Sequence, residues 1–204
     1  MRSNTSTMLR VGAVTPMALA AAMCFAGVAN AATTVNWSCQ GTVLGVSQTS
    51  SMNTSVDGAA PASVTAGSPV AITLTPGSSS VPSSASGFTV TNISNLKMII
   101  PVPANSTFVS TSTSGGTVSG SAALVGSDVV LTVPGPISGG SSFTPPAVTI
   151  NVTANAPGTI TSKYAGTSYS SPGMTMTTRV SPGINVATSC YPNPSPTLTT
   201  TNVT

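Results

Sequence analysis

The chain has no histidine and no glutamate, and its 204 residues include only five basic and two acidic side chains. At 3% charged, against roughly 25% in an ordinary soluble domain, it lacks the material of most enzyme chemistry. A Ser-His-Asp triad is excluded, and acid–base work would fall to Asp57, Asp128 and two lysines. Zinc needs more than Cys39 and Cys190, the two cysteines beyond the first thirty residues, without a histidine, and a hard cation needs more carboxylates than these. No catalytic residue, metal or cofactor is therefore expected. Strong helix formers are scarce as well: beyond the first thirty residues leucine occurs only at 44, 74, 96, 124, 131 and 198, whereas Thr, Val and Ser abound. An all-β chain follows.

Residues 1–31 read as a secretory signal peptide. Arg2 and Arg10 charge its start, an apolar run extends from Val11 to Val28, and Ala29-Asn30-Ala31 supplies a small-residue site for cleavage between Ala31 and Ala32. An acylated Cys24 is the rival reading, opposed by bulky Met23 and by the position of Cys24 inside the apolar run. Cutting after Ala31 leaves 173 residues, none of whose segments is apolar enough to span a bilayer as a helix. It also leaves three scattered cations, Lys97, Lys163 and Arg179, against Asp57 and Asp128. Nucleic-acid binding needs clustered cations that displace counterions from phosphates, so that class is excluded. The expected location is secreted or cell-envelope associated.

With the leader gone, Cys39 and Cys190 remain, and an even pair in an exported chain reads as a disulfide. Two free thiols are the alternative. Both cysteines share parity with apolar strand positions, so the bond is expected in the core, tying an early strand to a late one.

Period-2 alternation runs through Val35, Trp37 and Cys39; Val70, Ile72 and Leu74; Val129, Leu131 and Val133; Val148, Ile150 and Val152; and Ile184, Val186 and Cys190. Turn signals punctuate these runs, among them Asp57-Gly58, Gly67-Ser68, Pro76-Gly77, Gly126-Ser127, Gly139-Gly140 and Pro182-Gly183. No gap leaves room for helical crossovers, which excludes a parallel sheet. About nine or ten strands in an antiparallel two-sheet sandwich with one core disulfide suit the length. Residues 32–190 are expected to form that sandwich. Residues 191–204, with Pro192, Pro194 and Pro196, are expected as a Pro/Thr-rich tail whose end, Leu198 to Val203, could add an edge strand.

The stretch Pro61 to Tyr169 resembles the Ig-like repeat domain of bacterial surface proteins, a domain of unknown function. The residues that carry the likeness are Val64-Thr65-Ala66-Gly67-Ser68-Pro69-Val70, Val90-Thr91-Asn92, Pro103-Ala104-Asn105-Ser106-Thr107-Phe108-Val109-Ser110, Ser138-Gly139-Gly140-Ser141 before Val148-Thr149-Ile150-Asn151-Val152, and Ala156-Pro157-Gly158-Thr159-Ile160. With its framing cysteines and Pro-rich end, the chain is also similar to single-domain exported proteins of mycolate-bearing actinobacteria that have no assigned activity. The resemblance implies an Ig-like sandwich and an envelope or extracellular role, and it transfers no catalytic residue.

The remaining motifs are weak. Ser94-Asn95-Leu96-Lys97 matches S-x-x-K of penicillin-binding enzymes but sits between strand patterns, and no K-T-G occurs. Lys97, Asp128 and Asn151 have the chain order of an isopeptide triad, with three solvated side chains as the bland alternative. Beyond the leader, six N-x-S/T triplets, at Asn36, Asn53, Asn92, Asn105, Asn151 and Asn202, arise readily in so Ser- and Thr-rich a chain. Trp37 should pack on the disulfide, Met174 and Met176 should fill a core gap, and Tyr164 and Tyr169 are the candidate surface contacts.

The reading is an exported non-enzymatic β-sandwich with a structural or adhesive role at the cell envelope. Its neutral exterior suits a neutral polysaccharide or envelope glycolipid. The alternative is a carrier module that binds a lipid or glycan in a cavity between its sheets.

Overall fold

A computed structural model describes Val28, Ala29 and residues 32–204. The expected leader and Ala31 lie outside these residues, apart from Val28 and Ala29, which pair with Ala60 and Ala59. Ala32 is exposed.

The long strands are β1 (Thr33–Val43), β2 (Val46–Ala60), β3 (Pro69–Pro76), β4 (Phe88–Pro101), β5 (Ser106–Ser114) and β6 (Ser121–Val125). They continue as β7 (Asp128–Val133), β8 (Ala147–Ala154), β9 (Gly158–Ser162), β10 (Met174–Val180), β11 (Ile184–Pro192) and β12 (Thr199–Val203). Ten of them form one antiparallel path in the order β6-β7-β4-β10-β11-β1-β2-β3-β8-β5. The path folds back into a sandwich, and its two ends meet across the β5–β6 connection, where the Thr113 hydroxyl donates to the Gly120 carbonyl at 3.2 Å.

Alternation dictates the layers. Odd or even positions of β3, β7 and β8 are buried in turn. Their inner residues, Val70, Ile72 and Leu74, Val129, Leu131 and Val133, and Val148, Ile150 and Val152, join one core with Val35, Trp37, Leu96, Met98 and Ile100. The outward positions carry hydroxyls and amides that pair across strands where charges usually would: Thr73 with Thr149 at 3.0 Å, and Asn151 Nδ2 donating to Ser110 Oγ at 3.0 Å. Such pairs keep a face wet without salt bridges.

Cys39 and Cys190 are bonded and buried. They are directly opposed residues of neighbouring strands β1 and β11. The staple therefore lies within one sheet, whereas the immunoglobulin arrangement bridges two.

Two expectations are overturned by close approaches that no local pattern encodes. Asp57-Gly58 is not a turn: both residues lie inside β2, paired with Thr75 and Leu74. Gly58 is required there because a methyl group would run into the Leu198 carbonyl and sit 2.9 Å from the Thr199 methyl. The last residues are not an extended tail ending at an edge. Strand β12 lies between β9 and the short strand Ser63–Val64, which it meets in a parallel pairing. Leu198, Thr199, Thr201 and Val203 are buried. Gly58→Ala is expected to cost about 1–3 kcal/mol by overpacking, seen as a lower urea midpoint.

Candidate functional site

A cleft of about 710 Å³ opens among the described residues. Strands β1, β2, β10 and β11 and the start of β4 supply one wall, and the segments 78–86 and Phe143 roof it. The roof is a small ribbon in which Ser79–Ser80 pairs with Ser142–Phe143. It is held down by Thr54 Oγ1 against Ser79 Oγ at 3.3 Å and by Val90 N donating to the Ser83 carbonyl at 2.9 Å.

Alternation sorts the lining. Val43, Val90, Ile93 and Val186 form an apolar floor, and Val81 and Phe143 add apolar surface from the roof. Gln48, Ser50, Asn53 and Ser84 stand on the rim, and Thr178 and Thr188 satisfy each other at 2.9 Å. Gly41 sets the width, since a methyl group there would meet Val186 Cγ1 at 2.8 Å. No ionisable side chain lines the cleft, Cys39 being committed to the disulfide. Met52 and Met176 add soft, adaptable surface. Met174 and Met176 both belong to the buried core, and Met176 also borders the cleft.

Val43 on β1 and Gln48 on β2, both in the lining, flank the β1–β2 hairpin. Val43 pairs with Val46 across a two-residue turn, Leu44-Gly45, with φ of 50° and 82°. Both signs are those of the turn that normally takes Asn-Gly.

The tyrosines part company. Tyr164 is not a surface contact: it is 3% exposed and packs on Trp37 with ring centroids 5.2 Å apart. It lies in the segment that crosses β4, where Ala165 N donates to the Ile99 carbonyl at 2.9 Å. Tyr169 is half-buried and pairs edge-on with Tyr191 at 5.1 Å, so it is half of an aromatic couple and stands apart from the cleft. Trp37 shares the inward face of β1 with Cys39, and its indole N–H is buried without an acceptor.

Burial raises the Tyr164 phenol well above its ordinary value. Because the folded chain holds that proton more tightly than the unfolded one, Tyr164 contributes stability that is intact below pH ~10 and declines as pH rises above it. Alkaline unfolding is expected to begin there, and Tyr164→Phe should flatten the decline, measured by urea midpoints at pH 8 to 11.

The other candidate motifs come apart. Ser94 to Lys97 lies in strand β4, with Asn95 at φ 50°, not on a helix turn. Lys97 opposes Thr132, Asp128 opposes Pro101 four positions along, and Asn151 is on β8 bonded to Ser110. Among the described residues no cluster of three metal-ligating side chains occurs, and no helix is long and apolar enough to cross a membrane. Two segments of the Ig-like resemblance do meet: Asn105 donates to the Ala156 carbonyl at 2.8 Å and accepts from Ala156 N at 3.2 Å, while Thr107 donates to Asn155 at 2.8 Å. They form a structural clamp.

No protein-family model and no curated protein sequence matches the chain, so membership in the Ig-like repeat family is not shown. Among solved structures, the chain is similar to a Corynebacterium diphtheriae protein provisionally described as membrane anchored, with a TM-score of 0.52 and 19% identity. The match covers 85% of this chain and 38% of that one, so the chain spans well under half of that protein. A weaker likeness, TM-score 0.37 at 10% identity over 75% of this chain and 98% of the other, is to a cohesin module of a Clostridium perfringens family 33 glycoside hydrolase. What the first of these matches establishes is a fold shared with a bacterial protein.

Proposed function

We propose that the chain is an exported, non-enzymatic β-sandwich that serves a structural or adhesive role at the cell envelope, through contact with a neutral polysaccharide or envelope glycolipid. The observation that carries this reading is a cleft lined without an ionisable group, on a body whose outer faces are wetted by paired hydroxyls. Proton transfer has no agent there. Export is supported by the disulfide, which belongs to oxidising compartments, and by the leader read at residues 1–31. The description of the Corynebacterium protein as membrane anchored is in keeping with an envelope location.

Fractionation of the host tests it. The protein is expected with the envelope and, because neutral contacts are not screened, it should stay there through a high-salt wash. Recovery of all of it from the medium would overturn the proposal.

A further inference from the structure

We infer that the cleft receives the apolar chain of an uncharged amphiphile, taken up from a lipid surface over the Leu44-Gly45 turn. The inference rests on the envelope reading only for the supply of that surface.

The occupant follows from the lining. A volume of about 710 Å³ is that of a small-molecule site, and its Val, Ile and Phe lining offers apolar surface to hydrocarbon. A charged headgroup would lose water and find no counter-charge, since every polar rim residue is a neutral Ser, Thr, Asn or Gln. A hydroxylated neutral head is matched by that rim. An isolated sugar would leave the floor uncovered.

The route follows from a second feature. A turn with positive φ at both central residues is made most easily by Asn-Gly, yet leucine stands first here, 79% exposed, with Val46 58% exposed beside it. The tip thus accepts backbone strain and leaves hydrocarbon in water, and neither serves folding. Val43, paired with Val46, already lines the cleft, so the apolar tip adjoins the lining. A lipid surface covers such a tip and lies beside the cleft.

The test uses the disulfide-bonded chain and a monoacylglycerol with a fluorescent chain, offered as monomer in water and then in phosphatidylcholine vesicles. One probe per chain is expected from either source. Ser50→Trp, at an exposed strand position on the rim, should weaken uptake about tenfold or more. Ser112→Trp, on β5, should leave it unchanged. A fatty-acid anion of the same chain length should bind about tenfold more weakly. Leu44→Asn should retain uptake from water and slow transfer from vesicles about tenfold, with unchanged or improved thermal stability. Equal uptake by Ser50→Trp and the parent chain, or no uptake at all, would overturn the site. Unaltered vesicle transfer by Leu44→Asn would overturn the route. A dimer that Leu44→Asn dissociates, freeing the cleft, would make a second copy the occupant and overturn the inference. None of these outcomes alters where fractionation finds the protein, so the two proposals fail separately.

Discussion

Replacing Cys39 and Cys190 together by alanine is expected to lower the free energy of unfolding by up to about 4–5 kcal/mol, measured by urea denaturation of the purified chain. The size comes from the loop the bond closes. With the two cysteines 151 positions apart in sequence, the unfolded chain loses about as much freedom as one cross-link can remove. A domain of this size is commonly stable by 5–15 kcal/mol, so the variant should be close to marginal near 37 °C and still fold when cold. Folding survives because the bond spans residues already opposed in the β1–β11 ladder, from Thr188–Gly41 to Pro192–Trp37. A loss below about 1 kcal/mol would mean that the unfolded chain is already held compact without the bond. Cys190→Ala alone should do no better than the double variant, because it leaves a buried thiol facing a small void.

The fold was legible where burial is one-sided and local. Val148, Ile150 and Val152 alternate because β8 sits between β3 and β5 with one face in the core, and the same holds for Val70 to Leu74 and Val129 to Val133. The disulfide followed from parity and compartment. Strand β2 was harder to see, since its first ten residues, Val46 to Ser55, are mostly Ser, Thr and Asn on a half-covered surface. Tyr164 carried no sign of burial: Lys163 and Ala165 flank it, and its cover comes from Trp37, more than a hundred residues away. The cleft was legible only as a kind of site. Its polar rim reads in sequence like any solvated Ser-rich loop, and its lining is assembled from five strands and two connections. Leu44 before Gly45 was a local irregularity beside the site, a leucine where the turn favours asparagine, and it acquires meaning only beside Val43 and the cleft.

Deleting residues 197–204 provides the sharpest test of how the chain ends. A Pro/Thr-rich linker could be removed at almost no cost. A buried middle strand cannot. Burial of Leu198 and Val203 alone accounts for roughly 3–6 kcal/mol at 1.5–3 kcal/mol per side chain. The deletion also strips the Ser162 hydroxyl of Thr199, its partner at 2.6 Å, and takes away the Thr201 hydroxyl that donates to the Pro61 carbonyl at 2.7 Å. It unpairs β9 along Gly158 to Ser162 and uncovers Ile160 and Gly58. The expected result is a chain that keeps its disulfide but unfolds at far lower urea, with β9 and residues 61–64 losing amide protection first, because β12 is their only shared partner among the described residues. Retention of the full midpoint would show that the terminal strand is dispensable. In the intact chain Gly58→Ala should mimic the deletion in milder form, since it pushes the same strand off the same surface, and the two changes combined should cost no more than the deletion alone.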